Sequence, residues 1–304
     1  MRARLALGTM NFGRRTPEAE ARRIIDRALE LGVNHLDTAN LYAEGDSERI
    51  VGRALVGRRD QVVLTTKVGA WRREGLSVGR IVASLDESLG RLGTDFIDVY
   101  LLHLPDPATP LEQTLDGLAT VLASKKARAW GVSNFAAWQL GELNHLCDAR
   151  GLVRPAQSQV LYNLAVRQLE LEYFAFTKRF ALQTTIYNPL AGGLLARDPD
   201  AARPKSARLE SNALYRKRYG SEAMTGFARR CAAIGQSAGL SLLELSMAWV
   251  CQREGVDAVL LGPATLEHFD AGVEASAKTL TPEVLAALDA AHRDFTGTDA
   301  SYAR

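Results

Sequence analysis

What most constrains this chain is an alternation that runs from one end to the other, in which short runs rich in Val, Ile and Leu take turns with longer amphipathic stretches. Short apolar runs bounded by turn residues are strands, and longer stretches with a 3.6-residue period are helices. The alternation is therefore a series of βα units, and such units build a parallel sheet. Strands are expected at 5–8, 33–37, 61–67, 96–103, 128–133, 156–159, 181–187 and 258–261. The first helix should open at Thr16-Pro17-Glu18, with Thr16 as cap and Pro17 at the first helical position, and end near Leu31-Gly32. Further helices are expected at 46–55, 78–92, 111–124, 136–150, 168–179, 222–238 and 242–251. Eight strands in a chain of 304 residues fit a closed (β/α)8 TIM barrel, an α/β fold, better than an open sheet. No shift in composition marks a second domain, so residues 1–304 are read as one.

Two segments depart from the rhythm. Residues 190–220 are rich in Arg, Pro, Asp and Ser with little apolar periodicity, and a loop of that length in a compact domain is read as a lid. After the last βα unit, 281–295 reads as an extra C-terminal helix capped by Thr281, followed by a polar tail.

Charge and apolar content remove several classes of partner. With 37 Lys plus Arg against 35 Asp plus Glu, the chain lacks the basic excess that binds a phosphate backbone, so nucleic acid is not expected. No apolar run approaches the ~18 residues of a membrane span, and the opening Met1-Arg2-Ala3-Arg4-Leu5 lacks a signal peptide's apolar stretch, so a cytoplasmic protein is expected. Cys147, Cys231 and Cys251 form no C-x-x-C pair and are read as reduced, buried thiols.

In a barrel of this kind chemistry gathers at the C-terminal ends of the strands. There the chain places Asp37, Lys67, His103, Ser133 with Asn134, Gln159, and Tyr187 with Asn188, while Tyr42 follows in the loop after Asp37. A lone strand-end Lys or His is usually a structural hydrogen-bonding group. A carboxylate, an ammonium, an imidazole and a phenol converging on one mouth instead form a proton-transfer site. A phenol is a poor acid at neutral pH, with a pKa near ~10, but an adjacent ammonium stabilises the phenolate. Tyr42 is then the acid, Lys67 its tuner, Asp37 the counter-ion that keeps Lys67 charged, and His103 a group that orients a carbonyl or shares the proton.

A group that protonates oxygen needs a partner that attacks carbon, and no cysteine or activated serine in these loops provides one, which points to a cofactor. The 25 glycines contain no G-x-G and no G-x-x-x-x-G-K, so neither common nucleotide-binding loop is present. Gly131-Val132-Ser133-Asn134-Phe135 is not a G-x-S-x-G elbow. His35, His103, His145, His268 and His292 show no metal-ligand spacing, and His35 is read as structural.

Taken in order, Leu7-Gly8-Thr9-Met10, His35-Leu36-Asp37-Thr38-Ala39 with Tyr42, Lys67, Leu101-Leu102-His103, Gly131-Val132-Ser133-Asn134-Phe135, Gln159 with Tyr162-Asn163, and Tyr187 through Leu194 resemble the motifs of the aldo-keto reductases. Asn188 to Gly193, the Tyr215-Arg216-Lys217-Arg218-Tyr219 run and the Tyr-x-Arg terminus are similar to that family's aflatoxin-aldehyde reductase subgroup.

The resemblance implies reduction of a small carbonyl substrate by NADPH, with NADH as the alternative, and Asp37, Tyr42, Lys67 and His103 as the catalytic tetrad. It carries Ser133, Asn134 and Gln159 to the nicotinamide carboxamide and Tyr187 to the ring face. Asn188, Leu190, Gly192 and Arg208 go to the pyrophosphate, and Gly262, Thr265 and His268 to the 2′-phosphate. Many relatives carry Lys or Arg at this last place, where this chain has Thr265. Trp71 and Arg304 are carried to the substrate, Arg304 for acidic aldehydes, and a homodimer is implied. Two other readings compete: a Schiff-base aldolase using Lys67, and a cofactor-binding sensor or auxiliary subunit.

Overall fold

The computed structural model describes residues 2–71, 74–201, 209, 212–298 and 300. Eight parallel strands, β1 (Arg4–Gly8), β2 (His35–Asp37), β3 (Val63–Val68), β4 (Ile97–Leu102), β5 (Ala127–Ser133), β6 (Gln157–Leu161), β7 (Gln183–Tyr187) and β8 (Ala258–Leu261), form a closed barrel in sequence order. It closes where β1 pairs with β8, Leu5 opposite Val259 and Leu7 opposite Leu261. Helices wrap it: α1 (Glu18–Glu30), α2 (Asp46–Ala54), α3 (Val78–Leu92), α4 (Leu111–Ala123), α5 (Ala137–Ala149), α6 (Tyr173–Arg179), α7 (Ala213–Tyr219), α8 (Glu222–Ser237), α9 (Leu242–Gln252), α10 (Leu266–Ala277) and α11 (Pro282–Thr296).

The main core lies between strands and helices. On α1, Ala21, Ile24, Ile25 and Ala28 recur at the spacing of one helical face, and all four are fully buried. Each Ile side chain so removed from water contributes up to about 3 kcal/mol. Inside the barrel the filling is polar: His35 Nε2 meets Thr65 Oγ1 at 2.8 Å, and Gln157 Nε2 donates to Thr185 Oγ1 at 2.9 Å. Gly131 makes room for that layer, because a Cβ there would stand 2.2 Å from the Gln157 carbonyl oxygen.

Several boundaries differ from expectation for visible reasons. Thr16 does not cap α1; its hydroxyl donates to the Ala264 carbonyl at 2.9 Å, tying the β1–α1 loop to the β8–α10 loop. The helix expected at 168–179 is a 3₁₀ turn, Gln168–Glu170, followed by the short α6. The stretch 190–220 carries a 3₁₀ turn, Ala191–Gly193, and α7, whose start is capped by the Asn212 side chain accepting from Leu214 N and Tyr215 N. The middle of the expected lid, with Arg208, lies outside the described residues, as does Arg304. The C-terminal helix forms as expected, with Thr281 accepting from Val284 N.

Candidate active site

Period-two alternation turns Asp37 at the end of β2 and Lys67 on β3 into the barrel, where both are essentially inaccessible, at 1% and 0% exposure. Lys67 Nζ donates to Asp37 Oδ1 and to the Thr38 carbonyl, the latter at 2.7 Å. Burial pulls the Lys67 pKa down, and the Asp37 charge and hydrogen bond pull it back. The ammonium lies 5.1 Å from the centroid of the Tyr42 ring. Tyr42 begins the 3₁₀ turn Tyr42–Gly45, in which Ala43 and Glu44 take left-handed backbone angles, φ 48° and 55°. Strain of this kind in non-glycine residues gathers where side-chain placement matters. His103, directly after β4, meets the Tyr42 ring edge-on with centroids 6.0 Å apart. Burial, then the Lys67 charge, lowers the His103 pKa to about 3. The imidazole is therefore neutral at pH 7, and its Nδ1 is buried with no hydrogen-bond partner among the described residues.

A second set stands beside the first. Asn134, in the left-handed region at φ 64°, donates from Nδ2 to the His103 carbonyl and to Ser133 Oγ, both at 2.9 Å. Its Oδ1 accepts from the Tyr187 hydroxyl at 2.6 Å. Burial raises the Tyr187 pKa, and the charge and hydrogen bond of Arg218 on α7 oppose the rise. Gln159 does not join this set: its Nε2 donates to Asp37 Oδ2 at 2.7 Å.

The residues expected to hold phosphates shape loops in this structure. Asn188, at φ 60°, donates to the Tyr219 hydroxyl at 2.8 Å and accepts from Gly192 N at 2.7 Å, and the Leu190 carbonyl accepts from Gly193 N at 2.8 Å. A Cβ on Gly192 would strike Tyr215 at 2.4 Å. At the start of α10 the Thr265 hydroxyl accepts from His268 N at 3.3 Å, and the Gly262 carbonyl accepts from Asn11 at 3.0 Å. His268 is exposed. Trp71, partly exposed after β3, lies 5.7 Å from the Arg91 guanidinium.

Sequence reasoning missed three carboxylates. Glu74 accepts from Asn40 Nδ2 and Gly69 N and pairs with Arg80, fixing the loop that carries Trp71. Burial would raise its pKa, yet the hydrogen bonds from Asn40, Gly69 N–H and Ser84 and the Arg80 charge hold it below the usual range. Glu48, fully buried, accepts from Thr66 and from Arg91 at 2.6 Å beneath the Tyr42 turn. Glu20 accepts from Leu266 N at 2.7 Å at the start of α10. These partners lie 5 to 246 residues apart, and the charged and small residues around each acid give no local signal.

The residues at this mouth have chemistry that fits a nicotinamide nucleotide. His103 Nδ1 lacks a partner among the described residues, Tyr187 presents a partly exposed ring, and Gly193, at φ 101°, has no atom within 4 Å of where a Cβ would stand. No group of three or more metal-ligating side chains occurs among the described residues.

A buried Asp–Lys pair thus stands beside a tyrosine at the C-terminal mouth of an eight-stranded parallel barrel, and sequence comparison supplies the class. Residues 4–293 match the model of the aldo/keto reductase family, and the chain belongs to that family. It is an NAD(P)H-dependent oxidoreductase. Human aflatoxin B1 aldehyde reductase member 2 is 34% identical over 308 residues, covering 94% of this chain and 85% of that protein. Human aldo-keto reductase family 7 member A3 is 34% identical, covering 94% of this chain and 92% of its own length. A Schizosaccharomyces pombe protein named putative voltage-gated potassium channel subunit beta is 29% identical over 98% of this chain and 91% of its own length.

Proposed function

We propose that the protein reduces aldehydes and ketones to alcohols with NADPH, the proton coming from Tyr42. The observation that carries the reading is the buried Asp37–Lys67 pair lying 5.1 Å from the Tyr42 ring. A bound reduced nicotinamide supplies a hydride to the carbonyl carbon. Tyr42 gives its hydroxyl proton to the carbonyl oxygen, and Lys67 stabilises the phenolate left behind. Asp37 keeps the ammonium charged in a place where an unpaired one would lose its proton. His103, neutral at pH 7, serves as a hydrogen-bonding group that orients the carbonyl; a pKa of about 3 leaves almost no imidazolium to act as the acid.

Ser133, Asn134 and Gln159 are proposed for the carboxamide, which needs both a donor and an acceptor, and Tyr187 for the face of the nicotinamide ring. Asn188, Leu190, Gly192 and Arg208 are proposed for the pyrophosphate, and Gly262, Thr265 and His268 for the 2′-phosphate, with NADH as the alternative reductant. An aldehyde substrate is in keeping with the name of the human aflatoxin B1 aldehyde reductase, and Trp71 and Arg304, the latter for acidic aldehydes, are proposed to meet it. A homodimer in the cytoplasm completes the proposal. The aldolase reading is disfavoured because Lys67 is fully buried and already donates to Asp37 and the Thr38 carbonyl.

The test follows loss of reduced-nicotinamide absorbance with succinic semialdehyde, methylglyoxal and 4-nitrobenzaldehyde, for the native protein and Tyr42→Phe. Turnover in the first and its loss in the second, with cofactor still bound, is the expected result. Tight cofactor binding without turnover of any of these aldehydes would favour the auxiliary-subunit reading.

A further inference from the structure

Asp37 has two carboxylate oxygens, and the proposed tetrad accounts for one. Oδ1 accepts from Lys67, while Oδ2 accepts from Gln159 Nε2 at 2.7 Å. Gln159 reaches Asp37 from β6, 122 residues along the chain, and is itself only 2% exposed. Gln157, on the same face of β6, is held by Thr185 of the adjacent β7, so β6 presents two anchored amides to the barrel. A carboxylate rotates easily about its terminal torsion, and a buried one with a single donor has no fixed orientation. A second, charge-assisted bond from a rigid strand supplies it.

We propose that Gln159 is a positioning residue for the proton path: it fixes the rotation of Asp37, so that Oδ1 stays on Lys67 and the ammonium stays beneath Tyr42. This rests on the tetrad reading and gives Gln159 a task beyond holding a carboxamide. The other titratable groups facing the pair are His35 on β2, Glu48 on α2, Tyr42 in the turn and His103 after β4.

Gln159→Met removes the donor and keeps the length. The kcat at saturating NADPH falls by roughly 10- to 100-fold, the worth of a hydrogen bond to a charged group. The NADPH Kd, read by fluorescence titration, rises as well, because Gln159 is also proposed for the carboxamide, and the fall in kcat once NADPH is saturating is the part that a lost binding contact alone would not produce. Gln159→Glu gains activity as pH falls, because a protonated carboxyl donates to Oδ2 whereas an ionised one repels it. In the cofactor-free protein, Gln159→Met lowers the melting temperature less in an Asp37→Asn background than in the native one. A weakened NADPH Kd with kcat retained, a Gln159→Glu profile parallel to the native one, or equal melting losses in both backgrounds would each overturn the proposal. Should the native protein turn over no aldehyde, the tetrad reading fails first, and the melting comparison still decides whether Gln159 holds Asp37.

Discussion

At His103 burial and then the Lys67 charge act in the same direction, and its pKa of about 3 against an ordinary 6.5 has a consequence for stability. Between those values the unfolded chain binds a proton that the folded chain refuses, so the stability contribution is complete above pH 6.5 and is lost as pH falls toward 3. His292, lowered to about 4 by burial and then by Arg167, acts in the same direction. His103→Gln therefore flattens part of the acid decline in melting temperature below pH 6.5; an unchanged slope would contradict the assignment. Asp37→Asn leaves the Lys67 ammonium without its counter-charge, a loss of about 3–5 kcal/mol for a broken buried pair, measured by denaturant unfolding. That Asp37, Tyr42, Lys67 and His103 lie together was legible in the sequence because each ends a strand or follows one closely. The Gln159–Asp37 bond was not, since no local pattern reports which of two strand faces meet across a barrel.

Elements carry the next layer of control. The Tyr42 turn runs through left-handed angles at Ala43, Glu44 and Gly45, and a Cβ on Gly45, at φ 90°, would stand 2.7 Å from Arg91 Cδ. Arg91 in turn pairs with the buried Glu48 on α2. Gly45→Ala thus strains the turn and displaces the arginine that supports it, for a loss of about 1–3 kcal/mol in unfolding and a drop in kcat. At α10, Glu20 puts a carboxylate on the first amide of the helix, where the proposal puts a 2′-phosphate. Glu20→Gln should raise the kcat/KM ratio of NADPH over NADH; an unchanged ratio would separate the phosphate from this helix start. The helix α3, with its clean apolar face, and α11, with its Thr281 cap, were read closely from sequence. The start of α1 was not, because Thr16 satisfies a distant carbonyl in place of its own helix.

For the whole molecule, the repeated βα alternation was enough to foresee eight strands, since closure follows from their number and parallel order. How the helical ring is fastened was hidden. Arg167, nearly buried, lies 4.4 Å from the Trp249 ring and reaches Asp289 on α11 at 2.6 Å and the Leu288 carbonyl at 3.3 Å. It joins the loop after β6 to the C-terminal helix across 122 residues. Arg167→Met should lower unfolding stability by about 1–3 kcal/mol while leaving kcat within about twofold, because the site sits on the strands.

The central claim is that this barrel mouth moves a hydride to a carbonyl carbon while Tyr42 protonates the oxygen. It is tested most directly by supplying NADPH deuterated at the transferable nicotinamide position with an aldehyde, and analysing the alcohol by mass spectrometry. The account predicts one deuterium on the carbinol carbon with the native protein and no alcohol with Tyr42→Phe. Alcohol formed without deuterium, or formed equally well by Tyr42→Phe, would contradict it.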